Sequence, residues 1–361
     1  MANPNSIIDA DGHVLEDLAA IMDLMPAAYH TKDRNVFLNP FPPGDHLHST
    51  NLLKLPEGSF DASVGPEAWL KFHEDIGIDI SVLYPTWGVR GARINSVDWA
   101  IDVCHAYNDW LYKTYISRSP NFKGMALLPM QDPDAAAEEL RRAVTELGMC
   151  GAALHPTGFS QSHLGNKRYF PIYAEADRLG CALAVHGGDH DGFGMDDLTP
   201  YAPVNALGHP IAQMIAFGAL LFNGVFDKFP RVRFAFLEAG VAWLLLCIER
   251  FDGAYESHRP TDLRDRFVKL RGDERVSDYI KRKIDEGRIY VGVEGDESSL
   301  VEGVRVVGNK AFVYSSDYPH EVNTASCQKE IGELRANGKL AEGDKNAILR
   351  GNALRLYGLP G

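Results

Sequence analysis

Short apolar runs of strand length alternate along this chain with segments of helical period, and this alternation constrains the fold more than any other feature. Parallel strands require long crossover connections, commonly helices, whereas antiparallel strands are joined by tight turns. The pattern therefore predicts parallel β/α units. The eight apolar runs are residues 7–9, 80–84, 124–128, 151–154, 182–185, 232–237, 289–293 and 311–314, and plausible helices between them include 134–147, 171–179, 211–226, 241–255 and 276–284.

Polar residues stand where each apolar run stops. In a (β/α)8 barrel the strands are buried on both faces, and the residues at their carboxyl ends form the catalytic mouth. A sheet whose loops are merely exposed to solvent is not expected to have acids, histidines and amides at so many strand ends. We therefore predict a (β/α)8 TIM barrel with a site at that end. The residues concerned are Asp11, His13, Thr86, Gln131, His155, His186, Glu238, Glu294, Asp317 and His320.

The sequence contains no internal repeat and no linker long enough to separate two domains. A barrel of this type commonly uses about this chain length as one unit, so we predict a single domain over residues 1–361. Residues 30–68 are polar and rich in Pro, Gly and Asn, and they interrupt the pattern before the second strand. We interpret them as an insertion or lid.

Charge and composition narrow the classes of partner. The formal net charge is -13, and Lys and Arg do not cluster, which argues against a nucleic-acid partner. Neither a run of apolar residues long enough to cross a bilayer nor an amino-terminal signal pattern is present. We expect a soluble, cytoplasmic protein that acts on a small molecule without a membrane partner.

Three strand ends carry residues of the kind that bind metal ions. Asp11 and His13 alternate at the end of the first strand and so point the same way. His186 ends the fifth strand before two glycines, and Asp317 follows the eighth. His186 as a buried core histidine and Asp317 as a helix N-cap are the structural alternatives. Together the four form a mixed N/O set that suits one Zn²⁺ or Mn²⁺ and leaves positions open for water or substrate.

Over nearly its whole length the chain resembles the amidohydrolase superfamily, in particular the branch of aminocarboxymuconate-semialdehyde decarboxylase and the resorcylate-type aromatic acid decarboxylases. The resemblance rests on the first-strand motif, His186, the stretch from Phe229 to Phe234, and Ser-Asp-Tyr-Pro-His at residues 316–320. It implies that His13 and His186 are ligands, that Asp317 is both a ligand and the proton-transfer group, and that the metal is zinc or manganese.

The chain departs from the pattern of this branch at two positions. Asp11 stands where many members have a histidine, and Glu238 stands after the sixth strand where many have another histidine. Asp11 keeps the capacity to bind metal. Glu238 leaves open whether the residue there ligates the ion or does acid/base work. No lysine ends the fourth strand, so the bridging carbamate of binuclear members has no counterpart, and we expect one metal.

Two reactions fit this set, and a third possibility is not catalytic. In a decarboxylase the metal chelates a substrate carboxylate and Asp317 delivers a proton to carbon. In a hydrolase Asp317 takes a proton from metal-bound water, and Glu238 or His320 assists the leaving group. A barrel that has lost catalysis and acts as a binding protein is the alternative of another class. The nearest resemblance is to carboxy-lyases, so decarboxylation of an aromatic or unsaturated acid is the favoured hypothesis.

Substrate contacts are predicted at three residues. Arg90 is placed to pair with a substrate carboxylate, Trp87 to stack on a ring, and His155 to face the substrate from the fourth strand. A surface ion pair, loop packing and a structural loop residue are the respective alternatives. Members of the branch are often dimers, so we also expect a homodimer.

Overall fold

Eight parallel strands form one sheet in the order of the chain, from β1 to β8. The computed structural model describes residues 6–30, 39–42, 57–58, 61, 63–188, 192–259 and 267–360. Most of the predicted insertion at residues 30–68 lies outside the described residues and stays a prediction. The strands are β1 Ile7–Val14, β2 Ile78–Pro85, β3 Phe122–Ala126, β4 Gly151–Leu154, β5 Ala182–Val185, β6 Arg233–Phe236, β7 Ile289–Val293 and β8 Phe312–Tyr314.

Helices alternate with these strands, which confirms the predicted (β/α)8 barrel. β4, β5 and β7 have the predicted bounds. β1 is longer than predicted, so Asp11 and His13 lie within the strand instead of after it. The α-helices are α1 Leu18–Leu24, α2 Pro66–Ile76, α3 Val97–Leu111, α4 Pro133–Thr145, α5 Phe170–Leu179, α6 Tyr201–Phe222, α7 Val225–Lys228, α8 Ala242–Ser257, α9 Val276–Asp285, α10 Leu300–Val307, α11 Thr324–Ala336, α12 Glu342–Asn346 and α13 Asn352–Tyr357.

Helix α6 differs most from its prediction. The sequence predicted one helix over 211–226. In the structure α6 begins at Tyr201 and contains Pro210, and Gly224 separates it from α7 in a left-handed conformation with φ 69°. Among the helices of the described residues, α6 alone is long and apolar enough to meet the criteria for a membrane span. Its inner side, which includes Phe217 and Leu220, is fully buried.

The barrel closes between β1 and the segment that follows β8. The backbone N–H of Asp317 donates to the carbonyl of Asp11 at 2.9 Å, and the N–H of His13 donates to the carbonyl of Tyr318 at 2.7 Å. These two bonds tie both strand ends at the barrel mouth. The opposite end is filled by α13, where the Tyr357 hydroxyl donates to the Ala10 carbonyl at 2.5 Å and contacts the Tyr84 hydroxyl at 2.8 Å.

A buried carboxylate, that of Asp9, reinforces the closure from inside. Its oxygens accept hydrogen bonds from the hydroxyls of Ser81 and Ser316 at 3.0 and 2.9 Å. They also accept from the backbone N–H groups of Ser316 and Asp11 at 2.9 and 3.2 Å. Complete burial raises the pKa of Asp9 to about 6, although these hydrogen bonds favour the charged form. Asp9 thus connects β1, β2 and the segment after β8.

Replacement of Asp9 by alanine is expected to destabilise the fold strongly. Each buried donor left without an acceptor costs about 1–3 kcal/mol. The substitution removes the acceptor of several donors at once, so the free energy of unfolding should fall by the sum of several such costs. Urea denaturation in the presence of a chelator measures this loss without a contribution from bound metal. The control is Asp75→Ala, which removes an exposed pair with Lys71 and should change stability by about 1 kcal/mol or less. Equal effects of the two substitutions would contradict the role given to Asp9.

Candidate metal centre

The ends of β1, β5, β6 and β8 bring acids and histidines together at the mouth of the barrel. The metal ligands predicted from the sequence are all present there. Two overlapping groups of donor atoms lie within 4.8 Å of one another: Asp11, His13, His186 and Glu238 in the first, and His13, Glu238, Asp317 and His320 in the second.

The two histidines of the first group are held in a form that binds cations. Nδ1 of His13 lies 3.0 Å from the carbonyl oxygen of Pro85, and Nδ1 of His186 lies 2.9 Å from that of Gly187. A carbonyl only accepts hydrogen bonds, so both Nδ1 atoms carry protons and the Nε2 atoms are the ones that face the centre. The two Nε2 atoms lie 3.1 Å apart. Burial acts to lower the pKa of His186, but the charges of Glu238 and Asp11 raise it to about 10. The point between the two rings therefore favours positive charge, and the residues fit a metal ion there.

Asp11 supplies negative charge at the same point. It is fully buried, and neither of its carboxylate oxygens has a hydrogen-bond partner. Oδ1 lies 3.4 Å from Nε2 of His186 and 3.7 Å from Nε2 of His13. A buried carboxylate without hydrogen bonds is costly, and coordination of a cation removes that cost.

Glu238 and Asp317 have strained backbone conformations. Apart from Ser160, they are the non-glycine residues with positive φ in the described chain, at 59° and 54°. Such conformations cost about 1–3 kcal/mol and concentrate at functional sites. Here they turn both carboxylates toward His13, whose Nε2 lies 3.4 Å from Glu238 Oε1 and 3.5 Å from Asp317 Oδ1.

The pKa values of the two carboxyl groups are shifted in opposite directions. Burial and the nearby charge of Glu238 raise the pKa of Asp317 well above its usual value. Burial also acts to raise the pKa of Glu238, but His186 and His13 outweigh it and hold that pKa well below its usual value. Glu238 is therefore the more readily ionised carboxyl group of the pair.

His320 lies against Asp317 as well as His13. Its Nδ1 is 2.7 Å from Asp317 Oδ1, in contact range but without hydrogen-bond geometry, and its ring stacks on His13 with centroids 3.9 Å apart. Its Nε2 contacts the Thr86 hydroxyl at 2.8 Å. The structure thus places His320 beside the predicted proton-transfer group.

Two residues near the site were missed by the sequence reasoning. His209 on α6 lies with Nδ1 3.4 Å from Oε2 of Glu238, although no strand end or motif spacing points to it. Glu16 is buried and accepts hydrogen bonds from the N–H groups of Trp87 and Gly88 at 3.0 and 2.8 Å. Glu16 lies two residues after the first strand. An acid so close to a strand end was the sequence signal that could have identified it.

The predicted substrate contacts lie on the loop after β2 and at the end of β4. The Arg90 guanidinium lies 5.2 Å from the centroid of the Trp87 ring. His155 is buried, and its Nδ1 accepts from the N–H of Thr157 at 3.3 Å, which leaves the proton of the neutral ring on Nε2. A small cavity joins the loop after β2 to β4 and the metal centre; its lining includes Gly88, Val89, Leu128, His155 and His186. The substrate roles of Trp87, Arg90 and His155 stay predictions.

Comparison with known proteins confirms the resemblance seen in the sequence. The sequence model of the family described as Amidohydrolase matches residues 80–359. The chain is 30% identical to the γ-resorcylate decarboxylase of Rhodococcus jostii over 292 residues, covering 72% of this chain and 78% of that protein. It is 26% identical to the 2-amino-3-carboxymuconate-6-semialdehyde decarboxylase of Dictyostelium discoideum over 322 residues, covering 87% and 84%.

Solved structures share the fold. The dihydroxybenzoic acid decarboxylase of Polaromonas sp. JS666, which contains manganese and the inhibitor 2-nitroresorcinol, superimposes with a TM-score of 0.69. The alignment covers 98% of this chain and 97% of that one at 21% sequence identity.

Loss of His186 is expected to abolish metal binding. The purified protein should hold about one zinc or manganese ion per chain, and His186→Ala should hold close to none because one of two convergent lone pairs is gone. Elemental mass spectrometry after incubation with each metal measures this. His258→Ala, at the exposed end of α8, is the matched control and should keep its metal. An equal metal content in all three proteins would show that the ion binds elsewhere.

Proposed function

This chain belongs to the amidohydrolase family, and we propose that it is a metal-dependent carboxy-lyase that removes CO₂ from an aromatic or unsaturated carboxylic acid. The observation that carries the proposal is the cluster of cation-binding side chains at the barrel mouth, with the carboxyl group of Asp317 3.5 Å from Nε2 of His13. A decarboxylase must protonate carbon, and a carboxyl group with a raised pKa holds the proton needed for that step. The named activities of the Rhodococcus and Dictyostelium relatives support the same reaction.

Asp11, His13 and His186 would hold the metal, with a further carboxylate from Glu238 or Asp317. Imidazole and carboxylate donors suit Zn²⁺ and Mn²⁺ alike. A divalent ion there supplies Lewis-acid stabilisation to a bound carboxylate and its neighbouring oxygen. The manganese in the Polaromonas enzyme accords with this donor set.

Asp317 is the proton donor of the proposed reaction. Its carboxyl group gives a proton to the substrate carbon that bears the carboxylate. The bond from that carbon to the carboxylate then breaks, its electron pair remains with the substrate, and CO₂ leaves. His320, whose Nδ1 lies 2.7 Å from Asp317 Oδ1, is a titratable side chain beside that carboxyl group. The hydrolase alternative would use the same carboxyl group first as a base.

Substrate is proposed to enter beside the loop after β2. Gly88 and Val89 line the small cavity that reaches His155 and His186, and Glu16 fixes this loop through two backbone hydrogen bonds. Arg90 provides a positive charge on the same loop for a second polar group of the substrate. The charge of Arg90 is complementary to that of a carboxylic acid substrate.

The test is CO₂ release in D₂O by metal-loaded protein. A panel of hydroxylated benzoic acids and unsaturated acids is expected to contain a substrate whose product carries deuterium at the carbon that lost the carboxylate. Asp317→Asn should lower the rate by about 100-fold or more, since it lacks the acidic proton. Hydrolysis of esters, lactones or amides without CO₂ release would support the hydrolase. A metal-bound protein inactive on every compound would favour the binding-protein alternative.

We also propose a homodimer formed through α6 and α8. Leu207, Ile215 and Leu246 are between 43% and 49% exposed, which is unusual for large apolar side chains on two neighbouring helices. Analytical ultracentrifugation should give a dimer for the wild-type protein. The double substitution Leu207→Glu and Ile215→Glu should give a monomer that retains its metal. A monomeric wild-type protein would exclude the proposal.

A further inference from the structure

The loop after β2, residues 86–94, is held at its start by a buried carboxyl group. Glu16 lies two residues after β1 and is only 7% exposed. Its two oxygens each accept one hydrogen bond, from the backbone N–H groups of Trp87 and Gly88 at 3.0 and 2.8 Å. Because one side chain accepts both N–H groups, the first peptide units of the loop are fixed together.

Gln131 holds the other end of the same loop. Its side-chain amide donates to the carbonyl oxygens of Gly91 and Ile94, both at 2.8 Å. Gln131 is itself buried, and its backbone carbonyl accepts a hydrogen bond from the Arg168 guanidinium at 3.2 Å. An amide that meets two carbonyls uses both of its N–H donors. The polar residue predicted at this strand end therefore binds the loop.

Between these two contacts the loop packs tightly against its neighbours. A Cβ atom at Gly88 would lie 2.4 Å from Cδ1 of Leu127 and 2.9 Å from Cβ of Pro85, so a larger residue does not fit there without movement. The tight packing and the hydrogen bonds at both ends leave the loop one well-defined position.

The loop forms one wall of the small cavity that reaches the metal centre at His186. Neither Glu16 nor Gln131 lines this cavity, so both act on it only through the loop. The loop residues of the wall are small or apolar: Gly88, Val89, Gly91 and Ala92.

The same stretch of backbone also contacts the metal centre directly. The carbonyl oxygen of Pro85 lies 3.0 Å from Nδ1 of His13, and the Thr86 hydroxyl lies 2.8 Å from Nε2 of His320. Four consecutive residues, 85–88, thus contact either the site or Glu16. The position of the cavity wall relative to the metal centre is set within this stretch.

We infer that Glu16 and Gln131 are positioning residues for the substrate, which hold residues 86–94 as a preformed wall of the cavity without touching the substrate themselves. A wall that is ordered before binding removes the entropic cost of ordering it, so affinity depends on the population of the ordered loop. The inference rests on the proposed function only in that a carboxylic acid occupies the cavity.

The variants Glu16→Gln and Gln131→Met weaken these contacts while they nearly keep side-chain size. In Glu16→Gln one of the two acceptors becomes a donor, and in Gln131→Met both donors are lost. The control is Glu175→Gln on α5, where an equally buried carboxylate is bonded to Arg141 and Arg178 instead of to the loop. It measures the general effect of replacing a buried carboxylate.

The first measurement is hydrogen–deuterium exchange of the metal-loaded proteins over residues 86–94, with metal content checked by elemental mass spectrometry. Loss of a buried hydrogen bond is expected to speed exchange of the loop amides about 10-fold in Glu16→Gln and Gln131→Met. Glu175→Gln should exchange like the wild type there. The proteins are compared at about pH 8, because burial raises the pKa of Glu16 to about 7 and its carboxylate should be ionised.

The second measurement is calorimetric titration of the same proteins with 2-hydroxybenzoate. The dissociation constant should rise about 10-fold in the two loop variants, in proportion to the lost population of ordered loop, and stay within about 2-fold in the control. For any acid that releases CO₂, KM should rise by a similar factor while kcat stays within about 3-fold of the wild type, because the loop is ordered once substrate is bound.

Faster exchange of the loop with unchanged affinity and KM would overturn the inference, since the contacts would then be structural alone. Equal losses of affinity in Glu175→Gln, or a wild-type protein that binds neither 2-hydroxybenzoate nor any acid of the panel, would overturn it as well. A protein that binds these acids against the loop but releases no CO₂ would contradict the proposed function and leave the positioning role intact.

Discussion

The carboxylate of Asp9 joins the first strand of the barrel to the segment after the last, and the metal centre is built on that junction. Its hydrogen bonds reach Ser81, Ser316 and the backbone of Asp11. The backbone of Asp11 is itself bonded to Asp9, Asp317 directly follows Ser316, and the N–H of Asp317 donates to the carbonyl of Asp11. The same hydrogen bonds therefore close the barrel and place two acids in its mouth.

The centre itself consists of convergent donor atoms and carboxylates that a cation would neutralise. The Nε2 lone pairs of His13 and His186 converge because carbonyl oxygens hold both Nδ1 protons outward. Asp11 adds a buried carboxylate without hydrogen bonds, and Glu238 and Asp317 adopt left-handed backbone to reach the same place. Each feature opposes stability by itself. Their coincidence at one point is the physical argument for a metal ion and for catalysis there.

Much of the fold was predictable from the sequence because strands buried on both faces have a simple pattern. β4, β5 and β7 were placed at their observed bounds, and the polar residues after them identified the mouth. The start of helix α6 was not, because the helix continues through Pro210, a residue that rarely occurs inside helices. His209 was missed because it reaches the site from a helix, where no strand-end rule applies. The contact of Glu238 with the histidines depends on a backbone conformation that its residue type does not predict.

The most direct test of the account is a crystal structure of the Mn²⁺-loaded protein with anomalous scattering data. The account predicts a single peak per chain, within about 2.3 Å of Nε2 of both His13 and His186, with Asp11 in contact. A strong peak elsewhere, or none at saturating manganese and zinc, would contradict the claim that these convergent side chains form a metal centre.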